Sequence, residues 1–277
     1  MAALQKKIDF ALVFTAKNAN PNGDPLGGNR PRTTSDGLGE VSDVCLKRKI
    51  RNRLQDLGND IFVQMDENNN DGKKSLSERF NDFLATLSKE EQKNKETVAA
   101  KVCEKWLDVR SFGQVFAFKK GSNTAEVSIG VRGPVTVQSA FSVEPVVIES
   151  IQITKSVNSE TTADGKKSSD TMGMKHRVSK AVYVTYGSIS PQLAEKTGFS
   201  EDDAAAVKDA LISLFEGDES SARPSGSMQV LQLVWFEHNC KAGQYSSAKV
   251  HNSVKVEKDG HVTIEELAGL TPEILEG

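Results

Sequence analysis

The stretch KIDFALVFTAKNANPNGDPLGGNRPRTTSDG, residues 7–37, joins a strand-like run directly to a long polar segment. Apolar and β-branched residues dominate 8–15, which predicts a largely buried strand. Residues 17–37 are instead rich in Asn, Gly, Pro and Arg and show no periodicity. Loops of this length are usually functional or disordered. The segment therefore indicates a surface that binds a partner.

Composition sets the class of protein. The chain has 277 residues, of which 37% are hydrophobic and 26% charged, as in a soluble globular protein of one large or two small domains. The sequence shows no signal peptide and no apolar stretch of membrane-spanning length, so we expect a cytoplasmic protein with no membrane partner. Cys45, Cys103 and Cys240 are too far apart for a disulfide framework or a CxxC metal site. We expect neither a metal nor a cofactor.

The net charge of −3 conceals an uneven distribution of charge along the chain. Five basic residues lie within 47–53, whereas 195–219 holds eight acidic residues and two lysines. The charged residues after Val256 are also mostly acidic. A basic and an acidic surface would suit phosphate binding on one side and contact between identical copies on the other.

Periodicity predicts the order of the secondary structure. Ser42 is suited to cap a helix over 43–57, with Leu46, Ile50, Leu54 and Leu57 on one stripe. A β-rich middle follows, and Ser200 is suited to cap a second amphipathic helix before a buried strand at 228–238. Without its insertions the order is β-α-β-β-α-β. This order predicts an α+β fold with a ferredoxin-like or RRM-like core.

Two insertions interrupt the predicted core. Residues 59–107 carry apolar residues at helical spacing, and two β-branched runs separated by a polar turn predict a projecting hairpin at about 145–187. The predicted core thus comprises 1–58 and 108–248, and 249–277 form a C-terminal acidic extension.

The sequence contains no recognisable catalytic motif. The four histidines, His176, His238, His251 and His261, belong to no HExxH motif, and no GxSxG elbow occurs. Asp24 and Asp36 could hold a divalent ion beside a phosphate, but single loop carboxylates more often serve turns or caps. We predict no catalytic residues and no enzyme activity.

Phosphate binding has better support in the first loop and the helix after it. Asn18, Asn20 and Asn22 alternate with small residues, so their amides can present donors and acceptors along an extended backbone. Cationic side chains for charge-assisted phosphate contacts are Arg30, Arg32, Lys47, Arg48 and Arg51. A mobile loop followed by an ordinary solvated basic helix explains the same residues equally well.

The second candidate for nucleic-acid contact is MGMKHR, residues 172–177. Met172 and Met174 would wedge between bases while the neighbouring polar residues hold the flanking phosphates; these are Lys175, His176 and Arg177. The alternative is that both methionines fold back onto the core. Arg132, in GVRGP, is flanked by glycines that would clear space around its guanidinium, although a plain turn arginine fits as well.

Several motifs together resemble one family. They are AKNANPNGDP, GNRPRT, SDVCLKRKIRN, DVRSFGQVF, IGVRGPVTVQSA, MGMKHRV, GFSEDD and WFEHN, and they occur in this order over most of the chain. The sequence is similar to the backbone subunit of the type I-C CRISPR interference complex, Cascade, in the RAMP superfamily. The insertion at 59–107 and the tail beyond Ala248 match least distinctly.

The resemblance implies an RRM-like palm, a helical finger insertion and a β-hairpin thumb. It implies copies assembled side by side along one CRISPR guide RNA, each thumb displacing a nucleotide, so that kinked segments of guide pair with target DNA in antiviral defence. The loop at 17–37 would lie against the RNA backbone, the helix after Ser42 would neutralise phosphates, and MGMKHR would lie at or near the thumb. Further implied partners are the guide-processing and 5′-end-capping subunit, the large subunit and the small subunit.

Two other functions stay open at this point. Related type III backbone subunits cleave RNA with a loop aspartate, so a metal-dependent ribonuclease acting through Asp24 or Asp36 on guide-paired RNA is one alternative. A protein-interaction module whose basic surface meets an acidic partner is the other. The first predicts magnesium-dependent cuts, and the second predicts assembly indifferent to ribonuclease.

Overall fold

The computed structural model describes residues 2–117, 128–154 and 172–277. The helices are α1 Asp43–Asp56, α2 Leu76–Ala85, α3 Lys89–Lys93, α4 Lys95–Lys105, α5 Leu107–Phe112, α6 Pro191–Thr197, α7 Glu201–Ile212 and α8 Ser247–Ser253, with a 3₁₀ turn at Asp66–Asn68. The strands of the first part of the chain are β1 Ile8–Ala19, β2 Gly23–Asp24, β3 Arg30–Pro31, β4 Leu38–Val41, β5 Gln114–Phe116, β6 Ile129–Val131 and β7 Val135–Val137. The remaining strands are β8 Ala140–Pro145, β9 Ile148–Thr154, β10 Met172–Ile189, β11 Met228–Glu237, β12 Val254–Val256, β13 Val262–Ile264 and β14 Glu273–Glu276.

One antiparallel sheet organises the chain. Its strand order is β14-β11-β1-β10-β8-β4, and β7 and β9 pair with other parts of the long strand β10. Helix α1 follows β1, and α7 follows β10. The inner order β11-β1-β10-β8 is therefore the arrangement in which a β-α-β-β-α-β chain places its fourth, first, third and second strands. The predicted α+β class with a ferredoxin-like core is confirmed.

The two faces of the sheet are covered by different parts of the chain. On the first face, Phe10, Leu12 and Phe14 pack in one core with buried residues of α1 and α7. On the second face, Ala11 packs with Val250, in a smaller core formed largely by residues 250–270. Strand β1 is thus buried on both sides, which explains why its sequence reads as a continuous apolar run rather than an alternating one.

Helices α1 and α7 cover the first face, and each begins at the predicted N-cap residue. The Ser42 side chain accepts the backbone N–H of Cys45 at the start of α1, and Ser200 forms a reciprocal capping box with Asp203 at the start of α7. Leu46, the first residue of the predicted stripe, is buried, as are the next two members. The prediction is wrong for Leu57, the fourth member, which forms the C-cap and is 44% exposed, so the observed helix ends one residue earlier than predicted.

The region predicted as a helical insertion contains α2, α3 and α4 and has a core of its own. Phe62 and Trp106 pack at its centre, with ring centroids 4.8 Å apart. Buried Asp108 connects this core to α1, because its carboxylate accepts the backbone N–H of Phe62 at 2.7 Å and the Arg51 guanidinium at 3.1 Å. Within the described ranges, none of the helices has the length and apolar character needed to cross a bilayer.

A buried ion pair joins α1 to the segment after α7. The Lys49 side chain is fully buried, and its ammonium pairs with Asp218, which also accepts Arg223 Nε at 2.7 Å. Burial lowers the pKa of Lys49, while the neighbouring Asp218 carboxylate raises it. The Asp218 carboxylate therefore offsets part of the cost of burying the Lys49 ammonium.

We expect Asp218→Asn to lower the free energy of unfolding by about 3 kcal/mol, because removing one partner leaves a buried charge without compensation. Denaturant unfolding without nucleic acid measures the loss. Glu216→Gln, which breaks the more exposed pair with Arg53, should cost at most about 1 kcal/mol. Adding Lys49→Met to Asp218→Asn should recover part of the loss. Equal losses for Asp218→Asn and Glu216→Gln would contradict this role.

A second buried polar cluster lies where the C-terminal region covers the sheet. Asp9 and His238 are fully buried, and His238 Nε2 lies 2.9 Å from Asp9 Oδ2. Because His238 Nδ1 accepts the backbone N–H of Gln244, its Nε2–H is the one donated to Asp9. Lys7 Nζ lies 2.8 Å from the same carboxylate oxygen, and His251 Nε2 donates to the Gly187 carbonyl at 3.0 Å.

Burial lowers the pKa of His251 below its ordinary value of 6.5. The unfolded chain therefore binds the proton more readily, and this contribution to stability is present above about pH 6.5 and is lost as pH falls through the lower pKa of the folded state. We expect His251→Gln to flatten the decline of the unfolding free energy between pH 7 and pH 5. The exposed His261, changed to Gln, is the control. Identical pH slopes for the wild type and His251→Gln would refute the assignment.

Candidate nucleic-acid interface

The hairpin of β9 and β10 carries MGMKHR on its returning strand. Residues 148–154 pair with 172–178 in antiparallel register, so Met174 lies opposite Gln152, and His176 opposite Ser150. Residues 155–171, which include the alternative tip SETTADGKKSSD, lie outside the described residues. MGMKHR is thus part of a regular ladder.

Strand alternation separates the residues of this motif onto two faces. Successive side chains of a strand point to opposite sides, so Met172, Met174 and His176 share one face of β10. Lys175 and Arg177 lie on the other. The methionines therefore project beside the histidine and not beside the two cations that adjoin them in sequence.

The methionine face is open to solvent. Met172 is 61% exposed and Met174 is 54% exposed. The alternative that these methionines fold back onto the core is therefore wrong. Two exposed thioether side chains on a projecting ribbon are available to contact flat apolar surfaces such as bases.

The opposite face of the hairpin is different in character. The Arg177 guanidinium is paired with Glu149 at 2.8 Å, and Lys175 lies across from Ile151. Ile151 is 38% exposed and Ile153 is 49% exposed. This face therefore carries two partly exposed isoleucines, one ion pair and the ammonium of Lys175, which forms no ion pair among the described residues.

The loop at 17–37 is folded around a small hairpin of β2 and β3. The backbone carbonyl of Asp24 accepts the N–H groups of Gly27 at 3.1 Å and Asn29 at 2.7 Å, and Asp24 Oδ1 accepts the N–H of Leu26 at 3.2 Å. Asn29 and Gly28 adopt φ of 59° and 66°, values that Gly and Asn tolerate best. Asp24 therefore holds the turn.

Two of the three predicted loop asparagines are used inside the protein. Asn20 is buried, and its Nδ2 donates to the Asn29 carbonyl at 2.7 Å. Asn22 Oδ1 accepts both the backbone N–H and the hydroxyl of Ser42 at 3.0 Å, which fixes the loop to the start of α1. Asn18 is exposed, with φ of 53°. Of the three amides, Asn18 is the one that faces solvent.

The loop and the hairpin meet through Arg30. Its Nη1 donates to Ser150 Oγ at 3.0 Å and lies 3.5 Å from His176 Nδ1, while Ser150 Oγ and His176 Nδ1 are 2.9 Å apart. Arg30 is exposed and forms no ion pair with a described carboxylate. We call Arg30, Ser150, His176, Met172 and Met174 the Arg30–His176 surface. It joins residues from both predicted RNA-contacting segments.

The other charged residues of the loop that the sequence singled out contact neighbouring loop residues. Arg32 lies 3.6 Å from Asp24, and both side chains are partly exposed. Asp36 is exposed, and a hydrogen bond from the Thr34 hydroxyl lowers the pKa of its carboxyl group. Over the described ranges, no three His, Cys, Asp or Glu side chains are grouped as metal ligands.

Most of the cationic side chains of α1 form ion pairs with carboxylates of the same chain. Lys47 pairs with Asp43 at 3.0 Å, and Arg51 pairs with Asp108. Lys49 and Arg53, which complete the basic run, also have carboxylate partners. Arg48 contacts the sulfur atoms of Met65 and Cys45 and has no carboxylate partner in the described part of the chain. Among the three predicted phosphate ligands on α1, Arg48 alone lacks a competing carboxylate.

Arg132 is exposed between β6 and β7, and no described contact joins it to the Arg30–His176 surface. The glycine after it serves the backbone. A Cβ on Gly133 would lie 2.2 Å from the Ser111 carbonyl oxygen and 2.5 Å from the Gly113 nitrogen. The close approach of two chain segments therefore requires a glycine at position 133, independently of any space that it leaves for the guanidinium.

Sequence reasoning missed Ser150 and the carboxylates that neutralise α1. Ser150 lies in a β-branched run and carries no motif, and only the strand register places it beside His176. The partner carboxylates Asp108 and Asp218 lie far from α1 in sequence, so no local charge pattern reveals them.

Comparison with known proteins gives consistent matches. The family model described as CRISPR-associated protein Cas7 matches residues 6–270. A CRISPR-associated protein Cas7 of Haloferax volcanii is 23% identical over 282 residues, covering 98% of this chain and 81% of that protein.

One solved structure supports the fold. A chain of a CRISPR RNA-guided surveillance complex in a pre-nicking form has a TM-score of 0.50 and 17% identity, over 83% of this chain and 78% of that chain. Another CRISPR RNA-guided surveillance complex gives a TM-score of 0.47 and 18% identity, over 92% of this chain and 77% of that chain. Since the family match extends over nearly the whole length, the chain belongs to the family of CRISPR-associated protein Cas7.

Proposed function

We propose that the chain is a guide-RNA-binding backbone subunit of a CRISPR RNA-guided surveillance complex. Copies bind side by side along one guide RNA and present it in kinked segments for pairing with target DNA. The motifs in the first loop, α1 and the hairpin favour the type I-C complex and the RAMP superfamily. Other Cascade subunits then complete the assembly at its ends and along its length.

One observation carries the proposal: Arg30 of the loop contacts Ser150 and approaches His176 of the hairpin. The two segments singled out separately as RNA-contacting form one surface, with an uncompensated guanidinium beside exposed thioether groups. Arg suits phosphate because its planar fork donates two hydrogen bonds at once. The methionines beside it suit base contact. Such a surface recognises the backbone and flat faces of a single strand without reading its sequence.

The proposal assigns no cleavage to the chain. Asp24, one of the two loop carboxylates, holds the β2–β3 turn and lies beside Arg32. A backbone subunit of this kind acts by positioning RNA, so its chemistry consists of charge neutralisation and stacking.

Purification with and without guide RNA tests this function. We expect a large ribonucleoprotein whose RNA is protected from ribonuclease at a regular interval, and a small species without RNA. A small species indifferent to added guide would refute the proposal. Magnesium-dependent cuts in RNA paired to the guide, abolished by Asp24→Ala or Asp36→Ala, would establish the ribonuclease instead. An assembly unchanged by ribonuclease would establish the protein-interaction module.

Arg30→Gln should weaken binding of single-stranded RNA by about tenfold, because it removes a charge-assisted contact. The slope of log K against log salt should become shallower by about 0.7, the value for one phosphate contact on a single strand. Fluorescence anisotropy with two unrelated RNA sequences measures both quantities, and both sequences should be affected equally. Lys101→Gln on α4 provides a charge-matched control on an exposed pair with Glu104. An unchanged slope would remove Arg30 from the interface.

Met172→Ala with Met174→Ala should abolish the displacement of nucleotides while reducing RNA affinity only severalfold, because apolar wedges distort the strand more than they hold it. A guide containing 2-aminopurine at successive positions reports unstacking as periodic fluorescence. The matched control is Ile151→Ala with Ile153→Ala on the opposite face of the same hairpin. If the isoleucine variant lost the periodic signal and the methionine variant kept it, the assignment of faces would be reversed.

A further inference from the structure

Two lysines lie directly opposite each other where β1 and β10 reach the loop. The register pairs Lys17 with Lys180, and both are exposed. Their neighbours Ala16 and Ala181 contact the core on the first face, so both lysines project from the second face. Like charges directly opposite in an antiparallel pair destabilise the sheet. Neither ammonium has an ion-pair partner in the described part of the chain.

A third lysine approaches from the C-terminal region. The turn after β12 lies on the second face, because a Cβ on Gly260 would come within 2.6 Å of Leu231 Cδ1 and 3.9 Å of Val182 Cγ2. Lys258 of this turn and Lys180 line one cavity of about 210 Å³. Glu144 lines the same cavity but forms no ion pair with a described lysine. Lys180 and Lys258 thus share a cavity beside the C-terminal covering of the sheet, and Lys17 lies opposite Lys180 in the β1–β10 ladder.

This cluster continues the Arg30–His176 surface. Strand β10 runs from Met172 to Ile189 without a register shift against β9 or β1, so Lys180 shares a face with His176. Four residues of strand separate them by about 13 Å. Strand β3, which carries Arg30, lies against β10. A single polyanionic strand can therefore pass from one group to the other.

We propose that Lys17, Lys180 and Lys258 bind the phosphodiester backbone of the RNA strand that contacts the Arg30–His176 surface. This inference rests on the proposed function. The ammonium groups act as point charges on phosphates, which suits a sequence-independent track. Bound phosphates relieve the repulsion between Lys17 and Lys180, so the lysine pair costs stability in the free chain and contributes affinity in the complex.

The test compares Lys17→Gln/Lys180→Gln with the wild type on a fluorescein-labelled single-stranded RNA over a series of KCl concentrations. We expect an affinity about tenfold lower and a salt slope shallower by about 1.4, the value for two phosphate contacts. Without RNA, the melting temperature of the variant should equal or exceed that of the wild type, since a like-charge pair has been removed. Lys17→Arg/Lys180→Arg should restore the wild-type slope.

The control is Lys89→Gln/Lys93→Gln, which removes two exposed lysines of α3 that have no ion-pair partner among the described residues. If wild-type protein failed to bind RNA, the proposed function itself would fall. If the wild type bound RNA and Arg30→Gln weakened it, but the Lys17/Lys180 variant kept the wild-type slope, only this inference would be overturned. Loss of self-assembly without RNA in the Lys17/Lys180 variant, at unchanged RNA affinity, would also overturn it in favour of an acidic protein partner.

Discussion

The antiparallel ladder between β1 and β10 is the constraint on which the rest of the architecture depends. It pairs Ile8 with Ile189 at one end and Ala19 with Val178 at the other without a register shift. Beyond Val178, β10 continues alone with β9 as a projecting ribbon, while β1 ends at the polar loop. The base of the ribbon and the loop are neighbours for this reason. A slip of one residue would move Met172, Met174 and His176 to the other face and separate them from Arg30.

Whether a cation of this protein has a carboxylate partner depends more on its burial than on the local sequence. The basic run on α1 is the densest in the chain, yet most of its cations lie where water is scarce and take carboxylate partners from other elements. The cost of burying an unpaired charge requires such partners. Cations at the loop and on the second face stay exposed, where solvation makes a partner unnecessary. Uncompensated cations on an exposed surface therefore indicate a phosphate site better than a basic run does.

Much of the fold was predictable because local rules determine it. The apolar run of β1, the caps at Ser42 and Ser200 and the order of elements are all set within a few residues of each position. The site was less predictable, since its geometry depends on register. Ser150, Lys17 and Lys180 acquire their positions only when distant strands pair, and Asn20 and Asn22 are turned inward by hydrogen bonds within the loop and to Ser42. Alternation along β10 could have separated Met174 from Lys175 in advance, because two-residue periodicity is a local rule.

The C-terminal region covers part of the sheet face that is open in the RRM. In the RRM, bases stack on aromatic side chains of an open sheet face. Here the second face is closed at one end by residues 247–270, which bury Ala11, Val234 and Phe236. What stays open lies at the other end, where β1 and β10 present lysines rather than aromatic rings. In the described part of the chain, this face therefore offers a cationic edge beside the hairpin in place of a base-stacking platform. Under the proposed function, such an edge would bind the backbone of a strand and leave the Watson–Crick edges of its bases free to pair.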